Sequence, residues 1–134
     1  MWLITLESTA SPSVTLEPGS GCSSLEGYNR SHSIFGYSDK CAAVNPSDLS
    51  VALAALDATL TVQAGGGKSR TIPFTEFHRL PGDTPERDNN LENGEMITSI
   101  EIPKSTLAPH SYYLKVADRA SHAFALVSVA AALE

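Results

Sequence analysis

The stretch Asn45-Pro46-Ser47-Asp48-Leu49-Ser50-Val51-Ala52-Leu53-Ala54-Ala55-Leu56-Asp57-Ala58-Thr59-Leu60-Thr61-Val62-Gln63, continued by Ala64-Gly65-Gly66-Gly67 and Ser69-Arg70-Thr71-Ile72-Pro73, decides the fold class. It opens on a helix-start signal. Asn45 can cap, Pro46 suits the first helical position because its missing N–H would find no partner there, and Asp48 faces the positive end of the helix dipole. Leu49, Ala52, Leu53 and Leu56 follow at helical spacing, which predicts an amphipathic helix over residues 46–57. Thr59 to Gln63 then alternates as a strand, three glycines turn the chain, and Ser69 to Pro73 returns. That pattern predicts a β-hairpin.

Outward from this unit the signals are shorter. Upstream, Cys41-Ala42-Ala43-Val44 is an apolar run suited to a buried strand. Residues 22–40 show no clean period. Residues 1 to about 20 are rich in Ser, Thr and Pro, with Thr9–Ser13 and Glu17–Gly21 reading as loop. Downstream, Phe74 to Leu80 suits one helical turn and Pro81-Gly82-Asp83-Thr84-Pro85 a loop. Met96 to Ile102 alternates and stops at Pro103, which predicts a strand; Lys104 to Pro109 reads as a linker, and Tyr112 to Val116 as another strand. Phe124 to Leu133 is nearly all apolar, and its periodicity leaves helix and strand equally open. The pattern is mixed, of α+β class.

Composition narrows the function. A chain of 134 residues with 42% apolar and 18% charged residues suits one globular domain. A formal charge of −6 argues against nucleic acid or an anionic membrane surface as partner. The longest apolar runs are too short to span a bilayer, and the N-terminal residues lack the basic start of a secretory signal. The two cysteines, Cys22 and Cys41, are 19 positions apart, and spacing leaves open whether they meet. His32, His78, His110 and His122 have no metal-ligand spacing. His78-Arg79-Leu80-Pro81-Gly82-Asp83 reads as a packed loop rather than an acid–base pair.

Several stretches resemble the FAD-binding subunit of the molybdenum hydroxylases, the xanthine dehydrogenase and aldehyde oxidoreductase family, in its bacterial aldehyde oxidoreductase branch. They are Pro18-Gly19-Ser20-Gly21-Cys22, Gly27-Tyr28-Asn29-Arg30-Ser31-His32, Pro46-Ser47-Asp48-Leu49 with Val51–Asp57, and Phe77–Glu86. Gly94-Glu95-Met96-Ile97-Thr98, Tyr113-Leu114-Lys115-Val116 and Asp118-Arg119-Ala120-Ser121 complete the set. Each string is weak alone; in order and correctly spaced they are specific. The resemblance runs from about Glu17 to Glu134 and covers part of such a subunit. It implies an unmatched segment over 1–16 from truncation or fusion, then part of a vanillyl-alcohol-oxidase-type FAD-binding domain, its C-terminal lobe, over 17–103. A linker over 104–109 and the first strands of a small C-terminal α/β domain over 110–134 would follow, which tips Phe124–Leu133 towards β. The cut sheet would expose an apolar edge and favour self-association.

The resemblance also carries a site. Asp48 matches an acidic residue at the start of a helix, Ile97 a flavin contact made largely through backbone, and Lys115 a lysine beside the flavin ring. Cys22 and Cys41 match the last two of four cysteines that hold a four-iron, four-sulfur cluster; the second falls at Ser13, so the cluster is expected to be absent and the thiols left over. The two glycine loops that hold the FAD diphosphate in the family are not found, and Gly65-Gly66-Gly67 reads as a hairpin turn. The implied role is an electron outlet: a molybdenum-cofactor subunit oxidises an aldehyde or heterocycle, a two-iron iron–sulfur subunit relays the electrons, and FAD delivers them to an external acceptor. This chain alone is expected to bind FAD weakly or not at all, the alternative being a fold remnant or interaction module. The expected location is cytoplasmic, or periplasmic if exported with a partner subunit.

Overall fold

The computed structural model describes residues 3–5, 21–26, 32–43 and 45–133. It is an α+β structure with two antiparallel sheets and a helix that packs between them. The elements, in chain order, are β1 (Leu3–Thr5), α1 (Ser23–Glu26), α2 (Asp48–Ala55), β2 (Thr59–Gln63), β3 (Ser69–Pro73), β4 (Met96–Glu101), β5 (Ser111–Val116) and β6 (Val127–Ala132). One sheet has the order β3-β2-β4 and the other β1-β6-β5.

The hairpin forms where alternation and glycine placed it, with Thr59 opposite Pro73 and Gln63 opposite Ser69. Gly66 and Gly67 take positive φ of 80° and 81°, which only glycine adopts without strain, and the turn closes with Ala64 N–H donating to Lys68 O at 2.8 Å. Leu60 and Val62 point into the main core with Ile72, Phe74, Phe77, Ala58, Leu53 and Ala54. On the other side of β2, β4 pairs with a bulge between Thr61 and Val62, and the extra residue, Thr98, turns its hydroxyl onto Thr61 O at 3.1 Å.

The helix differs from expectation at its start and on its buried face. Ser47, rather than Asn45, is the cap: it is extended at φ −157° and ψ 111°, and its side chain accepts from Ser50 N–H at 3.1 Å. Any short hydroxyl or amide residue caps about equally well, so backbone geometry chose among the candidates. Leu49 is 62% exposed, whereas Val51, Leu53 and Ala54 are buried. The helix meets β6 and β1 as well as the turn at Phe74–Glu76, so it is covered on more than one side and has no single apolar stripe.

Cys41 and Ala42 are buried as expected but not in a strand; Val44 lies outside the described residues. Their backbone groups are satisfied locally: Ser38 N–H donates to Cys41 O, Ser33 N–H to Ala42 O, and Ala42 N–H to the Ser24 hydroxyl. A buried run whose polar groups find such partners needs no ladder. The Phe124–Leu133 run resolves as β6. It is an interior strand, because Leu3–Thr5, an element the N-terminal composition did not announce, pairs along it. The Thr9–Ser13 stretch and residues 17–20 lie outside the described residues. The edges of the second sheet are β1 and β5, and on β5 Tyr112, Leu114 and Val116 are exposed.

Candidate functional site

The clearest polar cluster forms where α2 begins over the second sheet. The cap at Ser47 makes Asp48 the first helical residue, where its charge faces the dipole's positive end. On β5, Tyr113 and Lys115 are two residues apart and so share a face. The Tyr113 hydroxyl donates to Asp48 Oδ1 at 2.8 Å and the Lys115 ammonium to Asp48 Oδ2 at 2.7 Å. The ion pair is partly open to solvent, 27% on the lysine side and 45% on the aspartate side. Across the ladder Lys115 faces Ser128 and Tyr113 faces Ala130. Ser128 is 1% exposed, and its hydroxyl has no hydrogen-bond partner among the described residues. A buried hydroxyl without a partner is uncommon and leaves both a donor and an acceptor open beside the lysine.

Asp48 and Lys115 are thus brought together across 67 positions of sequence. Ile97 belongs to the other sheet, on β4, opposite Val62, with its residue 37% exposed. Tyr113 and Ser128 complete the cluster and were not expected from sequence. Tyr113 had a readable signal, since any strand through Lys115 turns position 113 to the same side. For Ser128 the signal was weaker: a lone hydroxyl inside an otherwise apolar run.

The cysteines also meet. Cys22 Sγ lies 2.6 Å from Cys41 Sγ, and the Ser24 hydroxyl is 2.6 Å from the former and 3.8 Å from the latter. Burial opposes ionisation of the Cys22 thiol, but hydrogen bonds from Cys41, from Ser24 and from the backbone outweigh it and bring the group down to about 7. Burial, reinforced by Cys22, pushes the fully buried Cys41 thiol up. Among the described residues no group of three or more His, Cys, Asp or Glu side chains gathers to hold a metal. Two cysteines do not fit a four-iron cluster that takes four.

Elsewhere the polar groups serve the fold. His78 lies edge-on to Phe77 and Phe74, with ring centroids at 4.9 and 5.7 Å, and its Nε2 is 3.3 Å from the Ser50 hydroxyl. Burial pushes this imidazole down despite the opposing charge of Asp88, which suits a packed loop. Arg70 grips Glu95 with two bonds of 2.7 Å, and Glu92 N–H adds a third to the same carboxylate. The arginine and that amide hold the Glu95 carboxyl down at about 2, against an ordinary 4.5. A carboxylate favoured in the folded state contributes stability above about pH 4.5, lost as pH falls towards 2. Replacing Glu95 with Gln should flatten that part of a stability-versus-pH curve measured by urea melts. An unchanged acid slope would refute the assignment.

A flavin ring has acceptor, acceptor, donor and acceptor groups along its pyrimidine edge. The ammonium, phenol and carboxylate beside β5 can complement such an edge. A diphosphate needs converging backbone N–H groups, and the three-glycine turn does not offer them. The turn is closed by Ala64 N–H on Lys68 O, and a Cβ added at any of the three glycines would meet open space rather than a crowded cradle.

Residues 20–105 match the family model described as the FAD binding domain in molybdopterin dehydrogenase. The chain belongs to that family. Over 117 residues it is 45% identical to the aldehyde oxidoreductase FAD-binding subunit PaoB of Escherichia coli (strain K12), an alignment covering 87% of this chain and 36% of that protein. The chain therefore spans about a third of this curated relative's length. No helix among the described residues is long and apolar enough to cross a membrane.

Proposed function

We propose that this chain is the flavin-ring-side portion of the FAD subunit of a molybdenum hydroxylase. Its two sheets would then be the C-terminal lobe of a vanillyl-alcohol-oxidase-type FAD-binding domain over 17–103 and, after a linker at 104–109, the first strands of a small C-terminal domain. The observation that carries the reading is the Asp48–Tyr113–Lys115 cluster, which places a cation, a phenol and a carboxylate together at a helix start. When bound, FAD would take electrons from iron–sulfur clusters and deliver them to an external acceptor. The chain's own residues would orient the ring: Lys115 through a charge-assisted bond to its polar edge, Tyr113 and Asp48 by fixing that lysine, and Ile97 through its backbone. A cation there favours the negative charge that collects on a reduced ring. The partners of this reading are a molybdenum-cofactor subunit and a two-iron iron–sulfur subunit, as the PaoB name, that of one subunit of an aldehyde oxidoreductase, suggests.

Riboflavin fluorescence titration tests the ring site without needing the diphosphate. Saturable quenching is expected, weakened about tenfold or more in Lys115→Met, because a charge-assisted hydrogen bond contributes roughly 1.5–3 kcal/mol. Far-UV circular dichroism should not change, since a half-exposed ion pair contributes about 1 kcal/mol or less to stability. Equal binding by both proteins would remove Lys115 from the site. No saturable binding by either would favour the second reading, a fold remnant or interaction module.

A further inference from the structure

We infer that the groove along β3 is a docking site for an extended segment of a partner polypeptide that carries one acidic side chain. The inference goes beyond the flavin reading and does not rest on it. Three observations carry it. First, β3 is an edge strand: among the described residues it pairs with β2 alone. Phe74 N–H donates to Ala58 O and Ala64 N–H to Lys68 O, both at 2.8 Å, which fixes the hydrogen-bonded pairs of this ladder at Leu60 with Ile72 and Val62 with Arg70. Ser69, Thr71 and Pro73 therefore turn their backbone groups away from β2, where an incoming strand can take them. Pro73 brings a carbonyl but no N–H, which limits the pairing to a short segment. Second, residues 70–73 of this strand line a cavity of about 350 Å³, at the small end of the range for ligand clefts. Third, two guanidiniums in the same lining keep donors unspent. Arg79 and Arg87 each make one long bond of 3.3 Å, to the Thr84 hydroxyl and to Leu91 O. Among the described residues neither pairs with a carboxylate, whereas Arg70 is held by Glu95 and by Asn90 O.

Charge decides the occupant. Glu76 and Glu92 also line the cavity, so with the Glu95 that grips Arg70 three carboxylates stand against three guanidiniums. No net field gathers there to draw a polyanion such as nucleic acid or a polyphosphate. What remains acts at short range: the planar fork of an arginine suits a single carboxylate met by two parallel bonds. A small free anion would satisfy the arginines and leave the strand edge open. A peptide strand supplies both parts, a side-chain carboxylate for Arg79 and Arg87 and alternating N–H and C=O groups for the backbone of Ser69, Thr71 and Pro73.

Amide chemical-shift mapping of the isotope-labelled whole chain tests this, with a capped Thr-Val-Glu-Val-Thr peptide as probe and its Gln counterpart as control. Saturable shifts are expected at the Ser69 and Thr71 amides, and the Gln peptide should bind about tenfold more weakly or worse. Arg87→Gln, a change at an exposed position, should weaken the Glu peptide by a similar factor and the Gln peptide little, so that the two losses do not add. Shifts gathered on the edges at β1, β4 or β5, equal binding of the two peptides, or no saturation at millimolar peptide would each overturn the proposal. Inorganic phosphate is the second arm. If it saturates the residues around Arg79 and Arg87 while the peptide leaves the Thr71 amide unmoved, the arginines serve a small anion and the docking site is refuted.

Discussion

FAD should bind this chain no more tightly than riboflavin does, and at least about a thousandfold more weakly than it binds the full-length E. coli relative. The riboflavin part of the molecule can meet the Asp48, Tyr113 and Lys115 groups. The diphosphate carries most of the charge and, among the described residues, finds no amide cradle; the glycine-rich turn closes a hairpin instead. Charge-assisted hydrogen bonds to a diphosphate contribute roughly 1.5–3 kcal/mol each. Three of them at the low end make about 4.5 kcal/mol, and at about 1.4 kcal/mol per decade that exceeds a thousandfold. Parallel fluorescence titrations with riboflavin, FMN and FAD measure the difference. A clear gain from riboflavin to FAD would reveal a diphosphate site on this chain and refute its assignment to the ring side alone.

Leu60→Ala should cost about 3 kcal/mol and lower the melting temperature by roughly 10 °C. Leu60 is 1% exposed on β2, the middle strand of its sheet, and packs within the largest buried cluster. Truncation leaves a cavity that Ile72, Val62 and the two phenylalanines, all on ladder or turn backbone, cannot collapse to fill. Against a total stability of roughly 5–15 kcal/mol the loss is large. Leu49→Ala is the matched control, because its side chain is 62% exposed and the change should stay within about 0.5 kcal/mol. Urea melts of both variants decide the matter. Similar losses would restore Leu49 to the core and the expected amphipathic stripe with it.

How far the fold was legible depended on the range of each signal. Thr59–Gln63 and Ser69–Pro73 could be read to the residue, because the period-two burial of the first strand and the glycine turn between them act within a few positions. Met96–Glu101 ended one residue earlier than expected. The helix start slipped by two residues because Asn45, Ser47 and Asp48 are all competent caps, and the choice among them lies in the backbone path rather than in the side chains. The buried face of α2 was misjudged for a different reason. A helix covered on more than one side hides residues that a one-stripe pattern assigns to solvent, and leaves out residues the pattern assigns to the core. Cys41–Val44 has the composition of a buried strand, but a run of four residues holds too little periodicity to separate strand from buried loop. Tyr113 was within reach through the period of its own strand. Ser128 needed the register of β5 on β6.

Sequence alone determined the hairpin, the acidic residue at a helix start, the lysine on a late strand, and the family, through short strings kept in order. These are local properties, governed by dihedral preference, by alternation and by glycine's freedom at positive φ. Tertiary structure decided what meets across distance: β1 against β6, Lys115 on Asp48 from 67 positions away, and Cys22 against Cys41. Each such contact requires a chain segment to close on itself. The entropy of closure varies little with which residues lie in the loop, so no string within it announces the partner.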